Sequence, residues 1–79
     1  MRATILVRPK SGILDPQGAA VETALEHLGF AVSGARVGKV VDLEVASDDA
    51  TEARAQLEKM CEQLLANPLM ESYEIELHG

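Results

Sequence analysis

Cysteine and aromatic side chains are scarce in this 79-residue chain, and each shortage excludes a class of structure. A single cysteine, Cys61, cannot form an intramolecular disulfide, and it cannot supply a metal site that needs several thiolates. The two histidines, His27 and His78, are far apart in the sequence, and neither lies in a motif with metal-ligand spacing. Tyr73 and Phe30 are the only aromatic residues, which leaves no platform on which nucleic-acid bases could stack.

Positive charge and long apolar runs are also in short supply. Seven Lys and Arg residues stand against 13 Asp and Glu residues, which gives a net charge of -6. A phosphate backbone requires a basic face, so no nucleic-acid partner is expected. No apolar run approaches the roughly 18 residues of a membrane span, and the N-terminus does not resemble a signal peptide. We therefore expect no membrane partner and a cytoplasmic location, with the single thiol reduced.

The small size of the chain favours association with another copy. Residues 1–79 are too few for more than one domain. A chain this short buries only about 60% of its unfolded surface, so its core alone gives marginal stability. Small domains usually gain further stability from disulfides, a metal or a partner chain. Since the composition excludes the first two, we expect a homodimer or a larger homo-oligomer.

Hydrophobic periodicity divides the chain into six predicted elements, and each boundary carries a turn or cap residue. Asp15-Pro16 is a typical helix start, since aspartate caps free N–H groups and proline fits the first turn. Gly29 and Asn67-Pro68 are helix stops. The predicted order is β-α-β-β-α-β. The first strand is Ala3–Arg8, two strands within Phe30–Ala46 are joined by a turn at Gly38-Lys39, and the last strand is Tyr73–Leu77. The helices are predicted to begin at Asp15 and near Ser47–Asp49.

Each predicted helix has one apolar stripe, and each predicted strand has one apolar face. This pattern predicts the α+β class: a two-layer sandwich in which an antiparallel sheet has two helices on one face and water on the other. A ferredoxin-like strand order is the default expectation for this element order. Gly34 predicts a bulge or weak edge in the second strand. The helical stripes are Ala20, Val21, Ala24, Leu25 and Leu28, and Ala50, Ala53, Leu57, Met60, Cys61, Leu64 and Leu65.

No constellation of residues in the chain predicts catalysis. The serines lack the context of an activated nucleophile, and Cys61 lies on an apolar stripe, where a core role is favoured. Asp48 and Asp49 are expected to cap a helix. Gly12 and Gly18 bracket a helix start that could hold an anion, but the Gly-Lys-Ser/Thr ending of a P-loop is absent, and close backbone packing is the favoured interpretation. The sequence therefore predicts no catalytic, cofactor-binding or metal-binding residue.

The positive charges that remain are concentrated in two predicted loops. Arg8 and Lys10 flank the loop after the first strand, and Arg36 and Lys39 flank the predicted hairpin turn. Loops on a rigid sandwich commonly carry recognition, and the first loop also presents an apolar side chain beside its charges. We therefore predict a partner-binding site formed by Arg8, Lys10, Ile13, Asp15, Arg36 and Lys39.

Four segments together resemble one known family. They run almost end to end along the chain: Val7–Gly18, Ala24–Phe30, Ala35–Lys39, and Met60–Pro68 with Glu71 and Tyr73. The strings Gly-Ile-Leu-Asp-Pro-Gln-Gly and Leu-Leu-Ala-Asn-Pro are the most specific. The sequence resembles the PurS family, the small subunit of phosphoribosylformylglycinamidine synthase. Leu69-Met70 departs from the β-branched pair often found there, which is a conservative change in volume.

The resemblance implies a place in an ATP-dependent, glutamine-hydrolysing ligase complex of purine biosynthesis. It implies a glutaminase subunit that releases ammonia and a large synthetase subunit that uses ATP and Mg to convert formylglycinamide ribonucleotide to the amidine. The small subunit is implied to be a non-catalytic homodimer without a cofactor, which bridges the two enzymes and assists ammonia transfer. The alternative interpretation is a stand-alone homodimeric module that senses a small ligand.

Overall fold

Five regular elements account for most of the chain. A computed structural model describes all residues from Met1 to Gly79. A π-helical turn, Cys61–Leu65, continues the second helix. In chain order the elements are strand β1 (Arg2–Pro9), helix α1 (Pro16–His27), strand β2 (Lys39–Glu44), helix α2 (Ala50–Met60) and strand β3 (Glu71–His78).

The sheet has β1 at its centre and an antiparallel neighbour on each side. The strand order is β2-β1-β3, and Ile5 lies opposite both Val41 and Ile75. Because side chains alternate along a strand, Ala3, Ile5 and Val7 point to one face while Thr4 and Leu6 point to the other. A central first strand flanked by the last strand and by the strand before the second helix is the ferredoxin-like arrangement. The predicted α+β class and antiparallel sheet are confirmed.

The hydrophobic core lies between this sheet and helix α2. Ile5 from β1, Leu57 from α2 and Cys61 from the π-helical turn are fully buried. Full burial of a side chain the size of Ile or Leu contributes roughly 1.5–3 kcal/mol, so these contacts hold α2 on the sheet. The remaining buried apolar residues are Ala3, Val7, Val45, Ala53 and Ala66.

The predicted strand within Phe30–Val37 is not formed, which corrects the four-strand prediction. Residues 30–38 have no regular secondary structure, and β2 begins only at Lys39. The predicted turn at Gly38-Lys39 is not formed. Gly38 instead packs against the main chain of β1, where a Cβ would lie 2.2 Å from the carbonyl oxygen of Val7. The outer edge of β2 has no neighbouring strand.

Helix α1 does not cover the sheet in the single chain, so only one of the two helices lies where the sequence predicted. Gly18 is its only buried residue, and Leu28 just beyond it is 73% exposed. We call residues 16–37 the arm. The molecule measures 48 × 25 × 15 Å with a radius of gyration of 15.7 Å, whereas a compact chain of this length has about 12 Å. The arm projects because its apolar stripe finds no surface to cover within its own chain.

Candidate functional site

The carboxylate of Asp15 joins the start of helix α1 to the far end of the arm. Its Oδ1 accepts a hydrogen bond of 3.1 Å from the backbone N–H of Gln17, which is the predicted N-cap interaction. Its Oδ2 accepts one of 2.7 Å from the backbone N–H of Val37. The backbone N–H group of Val37, followed by those of Gly18 and Gln17, holds the pKa of Asp15 below its ordinary value. Asp15 is therefore ionised and has a structural role at the root of the arm.

Arg36 and Gly18 complete this connection. The Arg36 guanidinium donates hydrogen bonds to the backbone carbonyl oxygens of Pro9 and Lys10. Gly18 allows the helix to approach the opposite backbone closely, because a Cβ there would lie 2.2 Å from the carbonyl oxygen of Ala35. We call Asp15, Gly18 and Arg36 the latch. It fixes both ends of the arm to the loop that follows β1.

Lys10 ties this loop to the loop before β3. Its Nζ donates a 2.7 Å hydrogen bond to the carbonyl oxygen of Pro68, and its backbone N–H donates one of 2.9 Å to Met70. Asn67 organises the second loop from within, since its side-chain oxygen accepts from the N–H of Leu69 at 3.1 Å. Three predicted site residues, Lys10, Asp15 and Arg36, thus make contacts within the chain.

Arg8 and Lys39 are the two predicted cations that remain free of such bonds. Arg8 has one weak contact, 4.0 Å from its Nη1 to Oε1 of Glu74, between side chains that are each 66% exposed. Lys39 is exposed and makes no hydrogen bond or ion pair through its side chain. An exposed pair at this distance contributes little to stability, so both cations are available to an external group.

Arg8, Arg36 and Lys39 border an open cleft of about 660 Å³. The register separates two of them, because Lys39 lies opposite Val7 on the core face of the sheet whereas Arg8 shares the other face with Leu6. Leu6 and Val40, which are opposite each other in the β1–β2 register, provide its apolar floor. Ser72, opposite Arg8 in the β1–β3 register, adds a hydroxyl group. No acidic residue lines the cleft. Glu74 adjoins it, since it lies opposite Leu6 in the β1–β3 register and 4.0 Å from Arg8.

Sequence reasoning identified the charges of this cleft but not its floor. Ile13 and Asp15 lie in a separate, shallower depression that also contains Arg36. Leu6, Val40 and Ser72 were not predicted, because they come together only through pairing of strands that are distant in the sequence. The one available signal was alternation along β1, which places Leu6 on the same face as Arg8.

A polar network on the exposed sheet face has the composition of a catalytic triad but not its hydrogen bonding. The Thr4 hydroxyl donates to Oδ1 of Asp42 at 2.7 Å and lies 3.0 Å from Nε2 of His78. Because its one proton goes to Asp42, the hydroxyl accepts from His78, which then cannot act as its base. We interpret the three residues as a cross-strand contact.

The remaining groups show no feature of a reaction centre. The thiol of Cys61 is buried, and burial raises its pKa, so it is an unreactive core residue. No group of His, Cys, Asp and Glu side chains is arranged to hold a metal ion. No helix is both long and apolar enough to cross a membrane.

The strand order and the two helices define a small ferredoxin-like α+β module with an arm that its own sheet leaves uncovered. Residues 2–79 match the family described as PurS, phosphoribosylformylglycinamidine (FGAM) synthase. A phosphoribosylformylglycinamidine synthase subunit PurS from Synechocystis is 42% identical over 77 residues, which cover 96% of this chain and 75% of that protein. The subunit PurS of Methanocaldococcus jannaschii is 34% identical, with 96% and 93% covered. This chain belongs to the PurS family.

Solved structures of family members have the same fold. PurS of Bacillus subtilis matches with a TM-score of 0.86 at 35% identity, over 99% of this chain and 98% of that one. A chain from the structure of PurLQS from Thermotoga maritima matches with a TM-score of 0.84 at 37% identity, over 95% and 93%. The similarity thus extends to a family member solved within a multisubunit complex.

Proposed function

We propose that this chain is the small subunit of a phosphoribosylformylglycinamidine synthase of purine biosynthesis. The observation that carries the proposal is the match to the PurS family over residues 2–79. The chain acts with a glutaminase subunit and a large synthetase subunit, bridges the two, and assists the transfer of ammonia between them. ATP and Mg are used by the large subunit, and this chain contributes binding surfaces without a cofactor. Its site of action is the cytoplasm.

We further propose that the working form is a homodimer in which a second copy covers the arm. Four apolar side chains along the arm are 37–73% exposed: Val21, Leu28, Phe30 and Val32. Exposing these apolar side chains to water is unfavourable, and such a cluster on one projecting element is typical of an interface between chains. The unpaired outer edge of β2 lies next to the arm in the chain and offers backbone groups to the same partner.

Contact with the other two subunits is proposed at the six predicted residues, in two roles. Lys10, Asp15 and Arg36 support this contact by fixing the loops. Arg8 and Lys39 meet the partner directly, since neither is held by a hydrogen bond within the chain, and Ile13 adds an apolar side chain from a separate depression.

Reconstitution tests the proposed function. The isolated chain should hydrolyse neither ATP nor glutamine. The large subunit alone should synthesise the amidine with free ammonia, and addition of both the glutaminase and this chain should restore synthesis with glutamine as nitrogen donor. The matched control omits only this chain. Full glutamine-dependent synthesis without it would contradict the proposal.

A further inference from the structure

Helix α1 keeps its shape without support from the sheet. It has 12 residues, Pro16–His27, and an isolated helix of that length is only marginally stable in water. Most helices gain their stability by packing on a core, but the hydrophobic core of this chain contains no residue of α1. The arm therefore either has a support of its own or becomes ordered only when a second copy covers it.

The support comes from the return segment, residues 30–37, which runs back along one side of α1. At its start, the backbone N–H of Phe30 donates a 3.0 Å hydrogen bond to the carbonyl oxygen of Leu25. In its middle, the backbone N–H of Gly34 donates one of 2.9 Å to Oε1 of Glu22. At its end, the latch holds it against the first turn of the helix. Helix and return segment thus form a hairpin that is joined along its length.

The exposure of the helix follows the same side. Gly18, Glu22 and Leu25 are the residues of α1 that are buried or half-buried, and all others are exposed. Their spacing of four and three residues places them on one side of a helix. Val21 and Leu28 lie on the neighbouring side, because each residue turns the helix by about 100°. The return segment therefore covers one side of α1 and leaves these two apolar side chains free for a second copy.

Glu22 is the least replaceable side chain in the middle of the hairpin. Its carboxylate is half-buried, forms no ion pair and has the N–H of Gly34 as its hydrogen-bond donor. A hydrogen bond from a backbone N–H to a carboxylate is stronger than one between neutral groups. Gly34 has a φ of 68°, a left-handed conformation that glycine adopts without strain, at the point where the two groups meet.

We propose that the arm is a preformed hairpin, held closed by Glu22 and the latch before a second copy binds. Glu22 is then a positioning residue of the dimer interface, since it fixes Phe30 and Val32 relative to the apolar side of α1. A preformed arm lowers the entropy cost of association, because the competent conformation is already populated. The proposal rests on the proposed homodimer.

The dissociation constant of the dimer tests the role of Glu22. Glu22→Ala removes the acceptor while it introduces the best helix former, so a loss cannot come from helix propensity. It should raise the dissociation constant about fivefold, measured by sedimentation velocity over a dilution series. Glu22→Gln keeps an acceptor oxygen and should recover most of this loss. The matched control is Glu26→Ala, which removes an exposed carboxylate one turn further along and should have no effect. Equal dissociation constants for Glu22→Ala and Glu26→Ala would overturn the proposal.

Hydrogen exchange shows whether the hairpin exists before association. In the Leu28→Ser, Phe30→Ser chain, which lacks the two most exposed apolar side chains of the arm, the amide of Gly34 should exchange more slowly than that of Ser33, which makes no hydrogen bond. Adding Glu22→Ala should speed exchange at Gly34 about fivefold and leave Ile5 in the core unchanged. Protection of Gly34 in the wild-type dimer but not in this monomer would overturn the proposal. A wild-type chain that stays monomeric would refute the homodimer itself, and exchange at Gly34 in that chain still decides whether the arm is preformed.

Discussion

At the scale of single residues, Gly18 shows how one missing side chain positions a whole element. Alanine normally stabilises a helix by about 1 kcal/mol over glycine. Here the added Cβ would lie 2.2 Å from the carbonyl oxygen of Ala35, and backbone on both sides cannot yield cheaply. We predict that Gly18→Ala lowers the free energy of unfolding by about 1–2 kcal/mol, measured by urea denaturation. Gly79→Ala, with open space around it, is the control and should have no effect.

Asp15 gives the stability of the fold a specific dependence on pH. Its pKa is lowered in the folded protein by the N–H groups of Val37, Gly18 and Gln17, so ionised Asp15 favours the native state. This contribution is complete above the unfolded pKa of about 3.9 and is lost as the pH falls through the lower native value. Asp15→Asn should therefore be less stable than the wild type near neutral pH and should show a smaller loss on acidification. Thermal melts between pH 6 and pH 2.5 measure both, with the exposed Asp48→Asn as control.

Cys61 carries the only thiol of the chain, and its role can be tested by removing that group. Its side chain is fully buried where α2 passes into the π-helical turn. We predict that Cys61→Ala costs roughly 1 kcal/mol of stability and leaves glutamine-dependent synthesis intact, since small buried truncations have about this effect. Loss of synthesis by a variant that still folds would show that the thiol takes part in the reaction.

At the scale of elements, the sequence predicted those features that depend on residues close together in the chain. Both helices and the three strands of the sheet follow from periodicity, and Asp15 caps α1 as its position predicts. The segment Phe30–Val37 was predicted as a strand because its composition favours one. A strand also needs a partner, and the backbone N–H of Val37 donates to Asp15 instead of to a neighbouring strand.

The same distinction applies to the candidate site. The clustering of Arg8, Lys10, Arg36 and Lys39 in two loops was visible in the sequence. The sequence did not show which of these charges are held by hydrogen bonds within the chain, because the acceptors are backbone carbonyl oxygens, which every residue has. Strand register, which adds the apolar floor to the cleft, is equally a property of the folded sheet.

At the scale of the whole molecule, the elongated shape predicts the behaviour of the chain in solution. An arm with a 73%-exposed Leu28 and a 58%-exposed Phe30 has no place on its own core, so a second copy should cover it. Light scattering at micromolar concentration should give twice the chain mass of 8.5 kDa, or a multiple of that. Leu28→Ser, Phe30→Ser should shift the equilibrium to monomer by removing apolar area from the interface. The control, Leu64→Ser, Leu69→Ser, removes leucines outside the arm that are 82% and 83% exposed, and it should remain dimeric. A wild-type chain that stays monomeric, or a control that dissociates as readily as the arm variant, would refute the assignment of the arm as the dimer interface.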